Sequence, residues 1–337
     1  MAGLVTLVPA PLPRHGGLCA DVPDVARSGW VDQQWARVLI EVVGVRDRDQ
    51  RLRNEVEHPQ RYEEVTITSA EVPIVLSVWR GRSGGPVAVF LPGTMTHPLF
   101  YEEFCDGLAA QGITVVGVHA EGHGKSPRIG RLLRLESPVT NALDATAWAR
   151  ARFGRPPVVV GSSQGGVLAM IVATRDHQLA GMVAHNILDP ALPASVTVSR
   201  FPPFLQAGYR PFVRGLRVLA KLAPRLPIRF NTYFDLSRVC REPWTAEQFL
   251  LDPLSLHTYP LAFLADLFTA DLTAMGDGTI TCPVVVVAGR GDPLFSLDYT
   301  QAVFARIAAP AKELVVFDTD HPPAIQRMPA AGAATGR

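Results

Sequence analysis

The sequence is poor in the features that mark several large classes of protein. Its 337 residues hold only four cysteines. Cys19, Cys105, Cys240 and Cys282 lie far apart and form no CxxC pair, which argues against a thiolate zinc site and for free thiols in a reducing compartment. No run of about 18 apolar residues occurs, so no segment is expected to span a membrane. Charge of either sign is not in excess: 32 Lys and Arg oppose 31 Asp and Glu, a formal net charge of +1. Whole-chain electrostatics therefore give no reason to expect a nucleic-acid partner. The N-terminal MAGLVTLVPAPLPRHGG has an apolar stretch with no basic residue before it, broken by Pro9, Pro11 and Pro13, and makes a poor signal peptide. The expectation is a cytoplasmic, soluble protein. A G-x-G-x-x-G fingerprint is missing from the first strand–helix turns. Gly124-Lys125-Ser126 looks like the end of a phosphate-binding loop, but His119 stands where that loop needs glycine. His119 and His123 are spaced like a zinc pair, yet Gly122 and Gly124 disfavour the helix that would align them. Neither cofactor nor metal is expected.

What the chain does have is alternation. Residues 1–61 read as an N-terminal extension: a Pro- and Gly-rich tip, a helix from Trp30 to Val43 with apolar residues three and four apart, and a charged linker. Strand-like runs follow at Tyr62–Thr68 and Val72–Trp79. From Pro86 onward Val-rich apolar runs alternate with helical stretches: strands at Pro86–Leu91, Ile113–Val118, Pro157–Gly161, Leu179–Asn186, Cys282–Ala288 and Glu313–Phe317; helices at Phe100–Gln111, Val139–Phe153, Gly165–Thr174 and Leu297–Ile307. Such alternation implies right-handed crossovers and a mostly parallel sheet covered on both faces. Residues 62–188 and 279–328 form this core. Residues 189–278 break the rhythm, show no convincing strands and read as a helical cap inserted between two strands. Residues 329–337 read as a disordered tail.

The chemistry is concentrated in Gly161-Ser162-Ser163-Gln164-Gly165-Gly166, a G-x-S-x-G turn between a valine strand and a small-residue helix. So tight a turn strains its central residue, and flanking glycines let neighbouring chains approach without a Cβ clash. Ser163 is thereby presented at the carboxyl end of the sheet, with a helix N-terminus behind it. A serine hydroxyl needs a base, and the base an orienting carboxylate. In chain order nucleophile, acid, histidine, the base is His321, the one histidine after the last strand. The acid is Asp292, in the turn Gly289-Arg290-Gly291-Asp292-Pro293, with Asp189 as a substitute. Asp318 and Asp320 lie too close in sequence to His321 to fold back onto it. Two backbone N–H groups must face the developing oxyanion. Gln164 supplies one, and the loop Leu91-Pro92-Gly93-Thr94-Met95 the other, from Thr94 with Met95 in reserve.

With Leu91-Pro92-Gly93-Thr94, Glu121-Gly122-His123-Gly124-Lys125-Ser126, the serine turn, Gly289-Arg290-Gly291-Asp292 and Asp320-His321, the chain resembles the α/β-hydrolase superfamily over about residues 62–328. It looks closest to the capped branch of monoacylglycerol lipases, lysophospholipases and carboxylesterases. The resemblance implies an α/β-hydrolase fold with a mostly parallel eight-stranded sheet, helices on both faces and a helical cap. It also implies a serine esterase working through an acyl-enzyme. The chain departs from the family in carrying Pro92 where histidine is usual, His119 where aspartate is usual, and a short, proline-bearing tail after His321. The Trp30–Val43 helix is expected to cover sheet that the family's longer C-terminal helix covers.

Acidic residues are absent between Asp189 and Asp235, while Arg200, Arg210, Arg214, Arg217, Lys221, Arg225 and Arg229 fall there. Over Pro211–Ala223, Arg214, Arg217 and Lys221 share one helical stripe, and Phe212, Val213, Leu216, Leu219, Ala220 and Ala223 cover the rest. Either the helix packs by its apolar side with its charges in water, or it leans on anionic lipid or steers an anionic acyl substrate, with Phe201, Phe204 and Phe212 lining an apolar entrance. Met95 is placed at the same substrate site. The expected reaction is cleavage of a small-molecule carboxylic ester with a medium or long acyl chain. Thioester hydrolysis or acyl transfer on the same triad is the alternative; a non-catalytic binding protein of this fold is the alternative of another class.

Overall fold

The computed structural model describes residues 56–238, 247 and 249–317. The helix expected at Trp30–Val43, the N-terminal tip, His321 and everything after it lie outside the described residues, as do Asp318 and Asp320. Among the described residues ten strands follow in order: β1 (Tyr62–Ser69), β2 (Val72–Trp79), β3 (Val87–Leu91), β4 (Thr114–Val118), β5 (Val158–Ser162), β6 (Gly181–His185), β7 (Pro227–Arg229), β8 (Thr258–Pro260), β9 (Val284–Gly289) and β10 (Lys312–Phe317). The helices are α1 (Glu102–Ala110), α2 (Glu136–Phe153), α3 (Gln164–Arg175), α4 (Tyr209–Leu222), the single turn α5 (Phe230–Tyr233), α6 (Leu261–Leu267) and α7 (Leu297–Arg306).

Eight strands make one sheet in the order β1-β2-β4-β3-β5-β6-β9-β10. β2 runs antiparallel to β1 and β4, and every pairing from β4 to β10 is parallel. The composition of the strands accounts for this. β3, β4, β5, β6 and β9 are buried at every residue, as parallel strands sandwiched between helices must be. Side chains alternate between two apolar clusters. Val87, Val89 and Leu91 enter one with residues of α2 and α3, while Ala88 and Phe90 enter the other with Phe104, Cys105 and Leu108 of α1. All parallel strands end along one rim, and the loops leaving that rim carry Thr94, His119, Ser163, Asn186 and Asp292.

Between β6 and β9 the structure corrects the expectation of a purely helical insertion. β7 and β8 pair antiparallel, Ile228 opposite Tyr259. Each has three residues with a proline at one end, too short for a period-two pattern to register. α4 packs on α6 through Leu216, Ala220, Leu261 and Ala265.

The corner after β5 is closed by backbone contact. A Cβ on Gly161 would lie 2.0 Å from the Gly165 carbonyl oxygen, and one on Gly165 would lie 1.9 Å from that of Leu91. Both obstacles are main chain and cannot swing aside. Gly165→Ala should therefore cost about 3 kcal/mol or more, the upper end for overpacking, measured as a lowered urea midpoint. A midpoint equal to wild type would contradict this packing.

Candidate active site

Ser163 sits at φ 54°, ψ −116°, a backbone region that L-residues other than turn asparagines rarely adopt. Holding a residue there costs about 1–3 kcal/mol, and the neighbours supply the restraint. Its N–H donates to the His185 carbonyl (2.8 Å), and its own carbonyl accepts from Gly166 (2.8 Å) and Val167 (3.3 Å) at the start of α3. Ser162 faces away, as its position one residue off the motif requires, with Oγ 3.2 Å from His185 Nδ1. The Tyr101 hydroxyl accepts from the Gly93 N–H at 3.2 Å and meets Thr96 Oγ1 at 3.4 Å. Ser162, Tyr101 and Thr96 thus form a buried polar floor beneath the serine, and burial raises the Tyr101 pKa.

The loop after β3 lies against that corner: a Cβ on Gly93 would be 3.6 Å from Ser163 Cβ. Gly93–Thr96 is a closed turn, the Thr96 N–H donating to the Gly93 carbonyl at 3.2 Å. Among the described residues neither the Thr94 nor the Gln164 N–H meets an acceptor. Met95 cannot serve as the reserve donor, because its N–H donates to the Tyr259 hydroxyl at 2.8 Å. Its side chain is fully buried in the larger apolar cluster.

Buried histidines hold the loops at this rim. His119 Nε2–H donates to Ser77 Oγ (2.9 Å) while its Nδ1 accepts the Lys125 N–H (3.1 Å). The bare Nδ1 fits a neutral ring, and burial holds its pKa well below the ordinary value. His97, stacked on His119 with ring centroids 5.9 Å apart, bonds through Nε2 to Asp252 Oδ2 at 2.6 Å, both buried. His123 places Nδ1 3.0 Å from the Glu121 carbonyl and Nε2 2.8 Å from the Tyr259 hydroxyl. The zinc-like spacing of His119 and His123 is thus taken up by hydrogen bonds.

Asp292, in the turn after β9, is buried, and its carboxylate is fixed on three sides. Oδ1 accepts from the N–H groups of Leu294 and Phe295, both at 2.8 Å, and Oδ2 accepts from Asn186 Nδ2 at 3.0 Å. Asn186 (φ 59°) directly follows His185, whose carbonyl holds Ser163. Asp292 and Ser163 are thereby tied to one turn. The substitute acid, Asp189, is committed elsewhere. Its Oδ1 accepts from Ala191, and its Oδ2 lies 2.7 Å from Arg306 Nε in an ionic contact without hydrogen-bond alignment.

Of the aromatic entrance residues, Phe201 and Phe212 pack ring to ring at 4.9 Å, and Phe201 also meets Phe268 at 5.9 Å. Phe204 is 73% exposed and does not join them. Leu219, expected on the packed side of its helix, is 48% exposed, because it lies at the outer margin of α4. Sequence reasoning missed Asn186, Asp252 and Tyr259. A left-handed Asn after a strand has a weak signal in Asn turn preference; Asp252 and Tyr259 have none, since their partners are distant in sequence.

The buried histidines make a pH prediction. Burial pushes His123 from an ordinary 6.5 down to about 4. Between those values the unfolded chain binds a proton that the folded chain refuses, so stability falls as pH falls through that window. His123 alone should contribute about 3 kcal/mol of the loss. Urea unfolding at pH 7 and pH 4 should show His123→Gln with a smaller drop than wild type; an equal drop would contradict this.

Among the described residues no helix is long and apolar enough to cross a membrane, and no cluster of His, Cys, Asp and Glu is suited to hold a metal. Comparison with solved structures finds the same fold in a monoacylglycerol lipase from Paleococcus ferrophilus, at 20% identity and a TM-score of 0.57, over 72% of this chain and 88% of that one. A soluble variant of monoglyceride lipase from Saccharomyces cerevisiae, in complex with a substrate analog, matches at 14% identity and a TM-score of 0.61, over 77% and 87%. A thermophilic esterase from Thermogutta terrifontis matches at 19% and 0.50, over 78% and 93%. The family model described as serine aminopeptidase, S33 (Hydrolase_4), matches residues 86–320. With the strand order, the strained serine corner and a family match across most of its length, the chain belongs to the S33 family of α/β hydrolases.

Proposed function

We propose that this protein is a serine esterase that cleaves small-molecule carboxylic esters of medium or long acyl chain through an acyl-enzyme. Ser163 attacks the carbonyl, His321 takes its proton and returns it to the leaving alcohol, and Asp292 orients the imidazole. Thr94 and Gln164 N–H groups receive the oxyanion, and water then releases the acid. One observation carries this reading: a serine forced to φ 54° beside two N–H groups that have no acceptor among the described residues. The reach of the chain supports His321 as base. Four residues from the end of β10 span up to about 14 Å, and β10 adjoins β9, which delivers Asp292. The lipase and esterase names of the structural relatives favour an ester over an amide. A Gln after the nucleophile, followed by Gly-Gly, keeps thioesters and acyl transfer as the second reading.

The outer face of α4 suggests where such substrates are met. Tyr209, Phe212, Leu216 and Ala220 face inward, leaving Arg210, Arg214, Arg217 and Lys221 on one outer flank and exposed Val218, Leu219 and Leu222 beside them. Cations next to apolar side chains suit the surface of an anionic lipid aggregate. We infer a cytoplasmic location, supported by buried free thiols at Cys105 and Cys282.

Hydrolysis of p-nitrophenyl esters of graded chain length, with amino-acyl p-nitroanilides and acyl thioesters alongside, tests the substrate class. Esters should be turned over fastest, and a preference for the anilides would instead favour an aminopeptidase. Ser163→Ala should lower kcat by about a millionfold and abolish labelling by a fluorophosphonate. Activity should fall below about pH 6–7 as the base is protonated. Undiminished labelling of the alanine variant, or activity flat to pH 4, would refute the mechanism. Anionic vesicles should be hydrolysed faster than neutral ones at low salt, with the advantage lost in the triple variant Arg214→Glu, Arg217→Glu, Lys221→Glu. Equal rates on both vesicles in wild type would remove the lipid-surface role.

A further inference from the structure

We propose that Tyr259, in the segment inserted between β6 and β9, is a positioning residue for the oxyanion hole, holding the turn that carries the Thr94 N–H; this role rests on the ester-hydrolase reading above. Thr94 and Met95 are the two central residues of the Gly93–Thr96 turn, and Met95 sits at φ 68°. A positive φ at the third position of such a turn belongs to the type II form, where glycine or asparagine is preferred. A methionine keeps that conformation only if its surroundings hold it there.

The inserted segment does so from both sides of one residue. The Met95 N–H donates to the Tyr259 hydroxyl at 2.8 Å, and the Met95 carbonyl accepts from the Leu256 N–H at 2.9 Å. Tyr259 is itself fixed. Its ring is fully buried and stacked on Phe263 at 4.7 Å, and its hydroxyl lies 2.8 Å from His123 Nε2. The proton order is consistent along the chain. His123 Nδ1–H donates to the Glu121 carbonyl, so Nε2 accepts the tyrosine O–H and the tyrosine oxygen is left to accept the Met95 N–H. Linked bonds of this kind polarise and stiffen one another. Two further contacts hold the same segment to the same loops: Asp252 on His97, and the Gly124 N–H on the Leu254 carbonyl at 3.0 Å.

Without the tyrosine hydroxyl, the Met95 N–H loses its acceptor and the turn loses its reason to keep the type II form. Flipping of the Thr94–Met95 peptide would turn the Thr94 carbonyl and the Met95 N–H, and the adjoining Gly93–Thr94 peptide, which carries the Thr94 N–H, would lose the fixed turn that aims it. Oxyanion contacts act in the transition state, so the loss should appear in kcat and not in KM.

The test compares wild type, Tyr259→Phe and Tyr233→Phe, each as the full chain. Tyr233 is a useful comparison because its buried hydroxyl has no hydrogen-bond partner among the described residues. Two readouts are taken: kcat and KM on p-nitrophenyl octanoate, and amide hydrogen exchange across residues 91–99. Tyr259→Phe should lower kcat by about tenfold to a hundredfold with KM within about twofold, and should speed exchange in that loop. Tyr233→Phe should do neither. Exchange unchanged by Tyr259→Phe, or a loss confined to KM, or an equal loss of kcat in both variants, would overturn the role. Exchange reports on the loop even if wild type turns over no ester, an outcome that would count against the esterase reading and not against the coupling. Should Tyr259→Phe fail to fold, Asp252→Asn at the neighbouring anchor is judged by the same two readouts, with a smaller effect in the same direction.

Discussion

A single residue of main chain, Ser163, sets the terms for the rest of this molecule. Its backbone occupies a conformation that an unconstrained serine would leave, and the surrounding fold is arranged so that it cannot. Gly161 and Gly165 allow three chains to meet with no room for a methyl group. The β6 carbonyl of His185 takes the serine N–H, and α3 begins at once behind it. The free energy stored there is a small share of a domain's stability, but it is local, and it turns one hydroxyl outward at the rim where every parallel strand ends.

The second constraint lies on the facing loop. In this chain the loop is held from the inserted segment. Asp252, Leu256 and Tyr259 reach back to His97 and Met95, so the insertion acts as part of the site's frame as well as a cover for it. The consequences are physical. Burial lowers the pKa of both His119 and His123, which favours their neutral rings. An inserted segment tied to the Gly93–Thr96 turn by hydrogen bonds cannot shift far without disturbing that turn, and with it the donor we propose for the oxyanion.

Much of the core is readable in the sequence because burial on both faces leaves a plain mark. The valine runs of β3, β5 and β9 have no polar alternation to confuse them, and the expected Val72–Trp79 strand matches β2 residue for residue. The serine corner is legible for a similar reason: glycines at fixed offsets have one steric purpose there. Asp292 stands out by chain order and by its place in the glycine turn after a valine strand, and its carboxylate accepts from Leu294 and Phe295 of that turn. The inserted segment was legible only in part. The α4 stripe of cations followed from helical spacing, whereas β7 and β8 are too short to show a period. Tyr259 and Met95 lie 164 residues apart, and no local pattern links them. Phe204 was grouped with Phe201 and Phe212 by composition, but composition does not say which ring turns inward.

The most direct measurement of the central claim is a crystal structure of the protein after reaction with a long-chain alkyl phosphonate. Phosphorus should be bonded to Ser163 Oγ, with the phosphoryl oxygen about 3 Å from both the Thr94 and Gln164 nitrogens. The His321 imidazole should lie between Ser163 and Asp292. A phosphoryl oxygen turned away from both amides, or a histidine other than His321 beside the serine, would contradict the account.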